Sequence, residues 1–446
     1  MTEGTSTWRF PRAFWTANTV ELFERAAYYG TFIALTVYLT RVVGLDDVAA
    51  GWIGGLFGAM IYLFPFFTGA LADRMGFRNA LILAFALLTV GYGMLGAFHV
   101  LSPVLLGLFL IVLGGSFVKP IITGTVSKSS DETNRARAFS LFYMVVNIGA
   151  FTGKTVVKEI RQELGVANVP YFSAAAAAIA LVLVILFYWP KAREDARPHN
   201  LAETVRGMIG AMSNIRFLAL ILITAGFWAI QGQLYASMPK YVLRLVGEGA
   251  APEWYANINP LVVVIFVVPV THLIRKWRPE LAISVALALI PFSALSIAMS
   301  HLFGSDVNLF GYLVHPITLM MVIGISIQGL CECFLSPKYL EYASKQAPKG
   351  QEGMYLGYAH MNVFFAWLFG FVLAGHLLEW YCPDPTTLTV AEQAQREAAL
   401  AGVGQMPEVY ANAHYLWYAF ALVGLVSFLA LMAYIRLTRM ADARKG

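Results

Sequence analysis

Apolar runs of about 20 residues, the length that lets a helix cross a bilayer, follow one another along the whole chain. They fall near 14–39, 50–72, 79–99, 104–126, 137–160, 170–189, 215–243, 255–274, 280–301, 312–336, 351–381 and 413–435. The pattern predicts an all-α membrane protein with twelve transmembrane helices. Composition agrees: of 446 residues 59% are apolar and 13% charged, and the mean hydropathy of +0.65 lies outside the soluble range. Cys331, Cys333 and Cys382 show neither even pairing nor metal-ligand spacing, so neither a disulfide framework nor a zinc site is expected. Arg9 and Arg12 lead into the first run without a cleavage site, which reads as an uncleaved signal anchor.

Lys and Arg set the expected orientation. One set of connections carries Arg9, Arg12, Arg74, Arg78, Lys128, Arg135, Arg137, the segment 191–206, Arg275, Lys276, Arg278, Lys338, Lys345 and the tail from Arg436; the opposite set carries few cations. Both termini are therefore expected in the cytosol. The longest internal hydrophilic break divides the chain into a six-helix bundle (1–190), a cytosolic linker (191–214) and a second six-helix bundle (215–446). Leu201, Val205, Met208, Ile209 and Met212 recur at helical spacing, so part of the linker reads as an amphipathic surface helix. A second long loop, Cys382 to Asn412, reads as external, with a surface helix over 390–401 and no assigned chemistry.

The first apolar run contains Glu21, Glu24 and Arg25, followed by Tyr28, Tyr29 and Gly30. Each ionisable group at mid-membrane costs roughly 2.5–3.5 kcal/mol on insertion scales, so three in one span must face protein or water. Glu21, Arg25 and Tyr28 share one helical stripe, with Glu24 beside them. One face of this helix is thus expected to line a polar interior. Alternatively, the charges form a static buried network.

Between the second and third runs stands Gly69-Ala-Leu-Ala-Asp73-Arg74-Met-Gly76-Phe-Arg78, which resembles the loop signature of the major facilitator superfamily. Asp73, Arg74 and Arg78 would serve the inner gate. Positive-inside anchoring accounts for the two arginines but not for Asp73 between Gly69 and Gly76. A fainter echo, Pro269 through Arg278, falls where an internal repeat should.

The first-run motif Glu21-x-x-Glu24-Arg25 with Tyr28-Tyr29-Gly30 resembles that of the proton-coupled oligopeptide transporter family. Phe117-Val118-Lys119-Pro120, Phe139 through Phe151 with Asn147 and Gly149, Phe227-Trp228-Ala229, Ile258-Asn259-Pro260, Cys331-Glu332-Cys333 with Ser336-Pro337, and Ala347-Pro348-Lys349 follow in that family's order. The resemblance implies a proton-coupling cluster of Glu21, Glu24, Arg25, Lys119 and Glu332. It also implies a substrate cavity lined by Tyr28, Tyr29, Tyr62, Lys119, Asn147, Asn259 and Glu332, with Glu332 facing a substrate amino group. For Tyr28 and Tyr29 simple packing is an equal reading.

The chain departs from that family in three places. The linker is too short for the two extra helices common in prokaryotic members. Gly30-Thr31-Phe32 stands where an Arg for the peptide carboxylate is expected. Ile230-Gln231-Gly232-Gln233 stands where a Glu is usual, which puts Gln231 in the substrate site. Lys154, seven residues after Asn147 on the same helical face, could supply the missing positive charge; it could equally snorkel to the membrane interface beside Lys158 and Arg161.

His99, His272, His301, His315, His360, His376 and His414 sit mostly near helix ends, and no pair has dependable metal spacing. His360 with Asn362 could reach the cavity. Pro316, Gly324, Gly329 and Pro337 read as a bent gating helix around Glu332. The expected function is proton-coupled import of a small peptide or amino-acid-like solute by alternating access, with protons as coupling ion and no other cofactor. Alternatives are a proton-driven exporter of drugs or metabolites or an organic-anion importer and, further off, a sensor or lipid-moving protein. No motif points to an enzyme or to nucleic acid. The expected setting is the inner membrane, with the lipid bilayer and a small-molecule substrate as partners and a monomer as the working unit.

Overall fold

The computed structural model describes residues 10–131, 133–190, 201–304, 306–346 and 352–443. Ala347-Pro348-Lys349 and the first part of the linker lie outside them. The chain divides into two compact units, Met1–Tyr38 with Met60–Val205 and Leu39–Ala59 with Arg206–Gly446. The second unit thus takes in a stretch of the first and second helices.

The first half of the chain forms α1 (Arg12–Arg41), α2 (Asp47–Leu63), α3 (Pro65–Met75), α4 (Phe77–Ala97), α5 (Leu101–Lys128), α6 (Arg135–Leu164) and α7 (Val169–Phe187). The run expected as one helix over 50–72 is broken: α2 and α3 meet at 47°, because Pro65 has no N–H to continue the hydrogen-bond ladder and its ring crowds the preceding turn. Gly76, at φ 79°, turns the chain between α3 and α4. Within the first unit α4 packs on α5 and α7, and α3 on α5.

The linker residues expected to form an amphipathic helix do so, as α8 (Leu201–Ser213). There follow α9 (Ile215–Gln231), α10 (Gln233–Ala236), α11 (Met238–Leu245), α12 (Pro252–Tyr255), α13 (Ile258–Ile274) and α14 (Pro279–Ala298). A short hairpin of β1 (Val307–Leu309) and β2 (Tyr312–Val314) precedes α15 (Pro316–Lys345), α16 (Glu352–Ala359), α17 (Met361–Tyr381), α18 (Val390–Leu400) and α19 (Tyr415–Ala443). The run over 215–243 breaks at Gly232 and at Ser237, where Pro239 follows, and the run over 351–381 breaks at His360. The helix expected to bend around Glu332 is one element, α15, which continues through Pro337 for 30 residues. α18 is the expected surface helix, opened by a reciprocal Thr389–Glu392 capping box.

Ten helices among the described residues are long and apolar enough to cross a membrane, and the bent α2–α3 pair makes an eleventh. α1, also 30 residues long, completes twelve, its apolar run interrupted by charge. In the second unit α14 packs on α15 and α19, α13 on α15, and α9 on α17 and α19. Small residues let the start of α2 lie against α17: a Cβ on Gly51 would meet the Phe371 carbonyl at 2.6 Å, and one on Gly375 the Asp47 carbonyl at 2.5 Å.

Candidate functional site

In the first unit the polar stripe of α1 is held by its neighbours at backbone distance. A Cβ on Gly149 of α6 would meet the Leu22 carbonyl at 2.6 Å, and one on Gly153 would collide with the Ala26 backbone, so no larger residue fits at either place. On the other side Thr31 Oγ1 donates to Ser173 Oγ of α7 at 2.7 Å, and Ser173 Oγ donates to the Ala27 carbonyl at 2.7 Å. These contacts fix the rotation of α1 and hence where its charges point.

Arg25 Nε lies 3.2 Å from Glu21 Oε1, and the same guanidinium forms a short ion pair with Glu24. Glu21 and Glu24 are only 1% and 3% exposed. Glu21 Oε2 is buried and accepts no hydrogen bond among the described residues. Lys119 of α5 interacts electrostatically with Arg25, Glu21 and Glu24. Its Nζ stands 5.8 Å from the Tyr62 ring centroid and makes no hydrogen bond or ion pair among the described residues, and its side chain is exposed. Two acids and two bases therefore share one neighbourhood, with one carboxylate oxygen and one ammonium left open.

The tyrosines border this cluster. The Arg25 guanidinium carbon is 5.4 Å from the Tyr28 ring centroid and 5.9 Å from that of Tyr29, and Tyr28 stacks on Phe32 at 5.4 Å. Lys154 of α6, 1% exposed, places its Nζ 5.8 Å from the Tyr29 ring centroid. Its burial among α1 and α6 removes the snorkelling alternative, since the side chain stays inside the unit. Asn147, half-buried, donates to the Tyr143 carbonyl of its own helix at 2.8 Å. Arg78 donates to the Ile185 carbonyl at 2.8 Å, at the end of α7, and lies 3.9 Å from the Trp189 ring centroid; Arg74 is exposed and Asp73 half-buried.

The second unit gathers Gln231, Asn259 and Glu332. Gln231 Nε2 donates to Glu332 Oε2 at 2.6 Å, and Asn259 Nδ2 approaches the same oxygen at 3.4 Å. No cation pairs with Glu332 among the described residues. Its negative charge is held by amide dipoles alone. His360 Nδ1 donates to the Leu356 carbonyl at 3.1 Å, while Asn362 is buried against Thr224.

Sequence reasoning missed a further cluster in the second unit. Asp47 Oδ1 accepts from Lys240 Nζ at 2.7 Å and from Arg244 Nη2 at 2.9 Å, and Oδ2 accepts from Arg244 Nη1 at 2.8 Å. Arg244 also donates to Asp384 Oδ2 at 2.8 Å and to the Cys382 carbonyl at 2.6 Å. Burial pushes the Asp384 carboxyl upward, but Arg244 beside it and two hydrogen bonds from Thr386 hold it below the usual carboxylate range. The signal was present in the chain: Lys240 and Arg244 stand four residues apart after Pro239, one face of a helix, yet a loop-charge count treats them as anchors.

A family model, Major Facilitator Superfamily, matches residues 19–309. The chain belongs to the Major Facilitator Superfamily. Among curated relatives, a di-/tripeptide transporter of Lactococcus lactis subsp. cremoris is 27% identical over 290 residues, covering 60% of this chain and 53% of that protein. The chain thus spans about half the length of the curated relatives it matches. Among solved structures, the POT family transporter PepTSo superposes with a TM-score of 0.74 at 19% identity, covering 97% of this chain and 99% of that one. A POT family transporter in complex with 5-aminolevulinic acid gives 0.72 at 19% identity, with 96% of each chain covered. The likeness to the oligopeptide transporter family read from the sequence is borne out by these matches, and the twelve-helix fold with it.

Proposed function

We propose that this superfamily member is a proton-coupled importer of a small peptide or amino-acid-like solute, working by alternating access. The observation that carries the reading is the Glu21–Glu24–Arg25 cluster: two buried carboxylates on one guanidinium, with Glu21 Oε2 left without a donor. Protonating that oxygen removes a buried charge and weakens the hold on Arg25, which can then re-pair. Lys119, exposed beside the cluster, suits a carboxylate, and Glu332, held only by amides, suits an ammonium. The similarity to di-/tripeptide transporters and to a POT family transporter holding 5-aminolevulinic acid supports that substrate class.

In this reading Tyr28, Tyr29, Tyr62, Asn147, Lys154, Gln231 and Asn259 contact solute, and Asp73, Arg74 and Arg78 serve the inner gate. The protein sits in the cytoplasmic membrane as a monomer with both termini in the cytosol, the side to which Lys and Arg are biased. Protons are its coupling ion and it needs no other cofactor. The test is uptake into proteoliposomes from an acidic outside medium, scanned over dipeptides, amino acids and amino-acid-like organic acids. Accumulation that collapses with a protonophore is expected. Uptake indifferent to the gradient for every solute sinks the coupling, and gradient-driven movement only outward would favour the exporter.

A further inference from the structure

The hairpin between α14 and α15 is at odds with its own sequence. Val307 pairs with Val314, Asn308 with Leu313 and Leu309 with Tyr312, so Phe310 and Gly311 alone make the turn. Both have positive φ, 52° and 93°. A two-residue turn of that kind fits the twist of a hairpin but favours Asn, Asp or Gly at its first position. Phe310 is the sole non-glycine residue with positive φ among the described residues. A bulky side chain there is strained. Yet the ring packs on nothing: Phe310 is 101% exposed, Tyr312 78% and Leu313 72%.

We propose that this hairpin docks on the bilayer, with Phe310, Tyr312 and Leu313 entering the boundary between headgroups and acyl chains. The hairpin is tied at both ends to helices that cross the membrane, Pro279–Leu302 and Pro316–Lys345, by residues 303–306 on one side and His315 on the other. Its three-residue strands reach roughly 10 Å at about 3.4 Å per residue, which matches the interfacial zone into which apolar surfaces sink by about 5–10 Å. Met299, Leu302 and Phe303, which lie in the chain between α14 and the hairpin, are exposed apolar residues too. Between Phe303 and Val314 the one charged residue is Asp306, so nothing at the tip resists leaving water. Aromatic rings favour that depth, and lipid contact there offsets the strain of the turn.

The test places a nitroxide at Leu313→Cys, leaving Phe310 in place; Cys331, Cys333 and Cys382 are buried. In proteoliposomes of phosphatidylcholine and phosphatidylglycerol, collision with oxygen is compared with collision with a water-soluble nickel chelate. A label at Glu397→Cys, exposed on the polar α18, serves as the water reference. The nickel-to-oxygen ratio at 313 should be several-fold below that at 397, and adding Phe310→Asp should bring it to the reference. Equal ratios at 313 and 397 would place the tip in water. Low access to both reagents would mean that a second copy or another protein covers it. Either result, or a ratio unmoved by Phe310→Asp, overturns the proposal.

Discussion

Two groups of clustered charge in this molecule solve the same problem in opposite ways. In the second unit Asp47, Lys240, Arg244 and Asp384 are saturated: each Asp47 oxygen takes at least one charged donor, and the spare donors of Arg244 go to Asp384 and the Cys382 carbonyl. In the first unit Glu21, Glu24, Arg25 and Lys119 are also two acids and two bases, yet Glu21 Oε2 and Lys119 Nζ remain open. A saturated network resists proton exchange, because every protonation breaks a charged hydrogen bond. An unsaturated one has a place to put a proton and a base ready to re-pair. Charge count is the same, and what differs is how completely the geometry pairs the charges.

The largest effect should come from breaking the saturated group. Asp47→Ala leaves Lys240 and Arg244 buried without their shared carboxylate, and removing one partner of a buried pair costs about 3–5 kcal/mol. Thermal unfolding of the purified protein should show that loss, and an unchanged midpoint would mean that the network contributes no net stability. Glu24→Gln, by contrast, should change the midpoint little and abolish gradient-driven accumulation while solute exchange persists. If both substitutions cost similar stability and neither touches coupling, the contrast between the two groups fails.

Much of this arrangement was legible in the chain alone. Three charges in one apolar run could only face inward, and the spacing of Glu21, Arg25 and Tyr28 placed them on one stripe, as found. Glu332 and Asn259, read from the family motifs, lie together with Gln231, read as a departure from them. The saturated group was not read, because Asp47 lies 193 residues from Lys240 and hydropathy carries no information on pairing over such separation. The break between α2 and α3 went unread for a related reason. Pro337 lies within an unbroken α15, while Pro65 ends a helix; the sequence shows a missing donor in both, and only the neighbouring packing decides whether the ladder carries on.

A smaller effect is expected at Lys154, which borders the unsaturated group. Phe32 stacks on Tyr28 where a cation is expected by resemblance, and the buried Lys154 ammonium lies beside Tyr29. Lys154→Gln should weaken binding of the acid form of a transported solute by roughly 1.5–3 kcal/mol, the value of a charged hydrogen bond, and barely affect its methyl ester. Isothermal titration with each form separates the two. Equal losses on acid and ester would give Lys154 a packing role.

The smallest effect belongs to Asp384, at the edge of the saturated group and outside the membrane-spanning helices. Its carboxyl is held below the ordinary range, since Arg244 and the Thr386 hydrogen bonds outweigh its burial. A depressed carboxylate adds stability above the pKa it has in the unfolded chain, and that contribution is lost as pH falls through the lower, folded-state value. The unfolding midpoint of the native protein should therefore fall more steeply on acidification below the normal carboxylate range than that of Asp384→Asn, which has no charge to lose. At neutral pH the variant should be the less stable of the two, by roughly 1 kcal/mol for a partly accessible charged hydrogen bond. Asp47 still pairs with both Lys240 and Arg244 in the variant, so the rest of the network should survive, and solute uptake at neutral pH should be unaltered. Parallel pH profiles for the two proteins would show that Arg244 is already satisfied by Asp47 and that Asp384 adds nothing to the closure of the group.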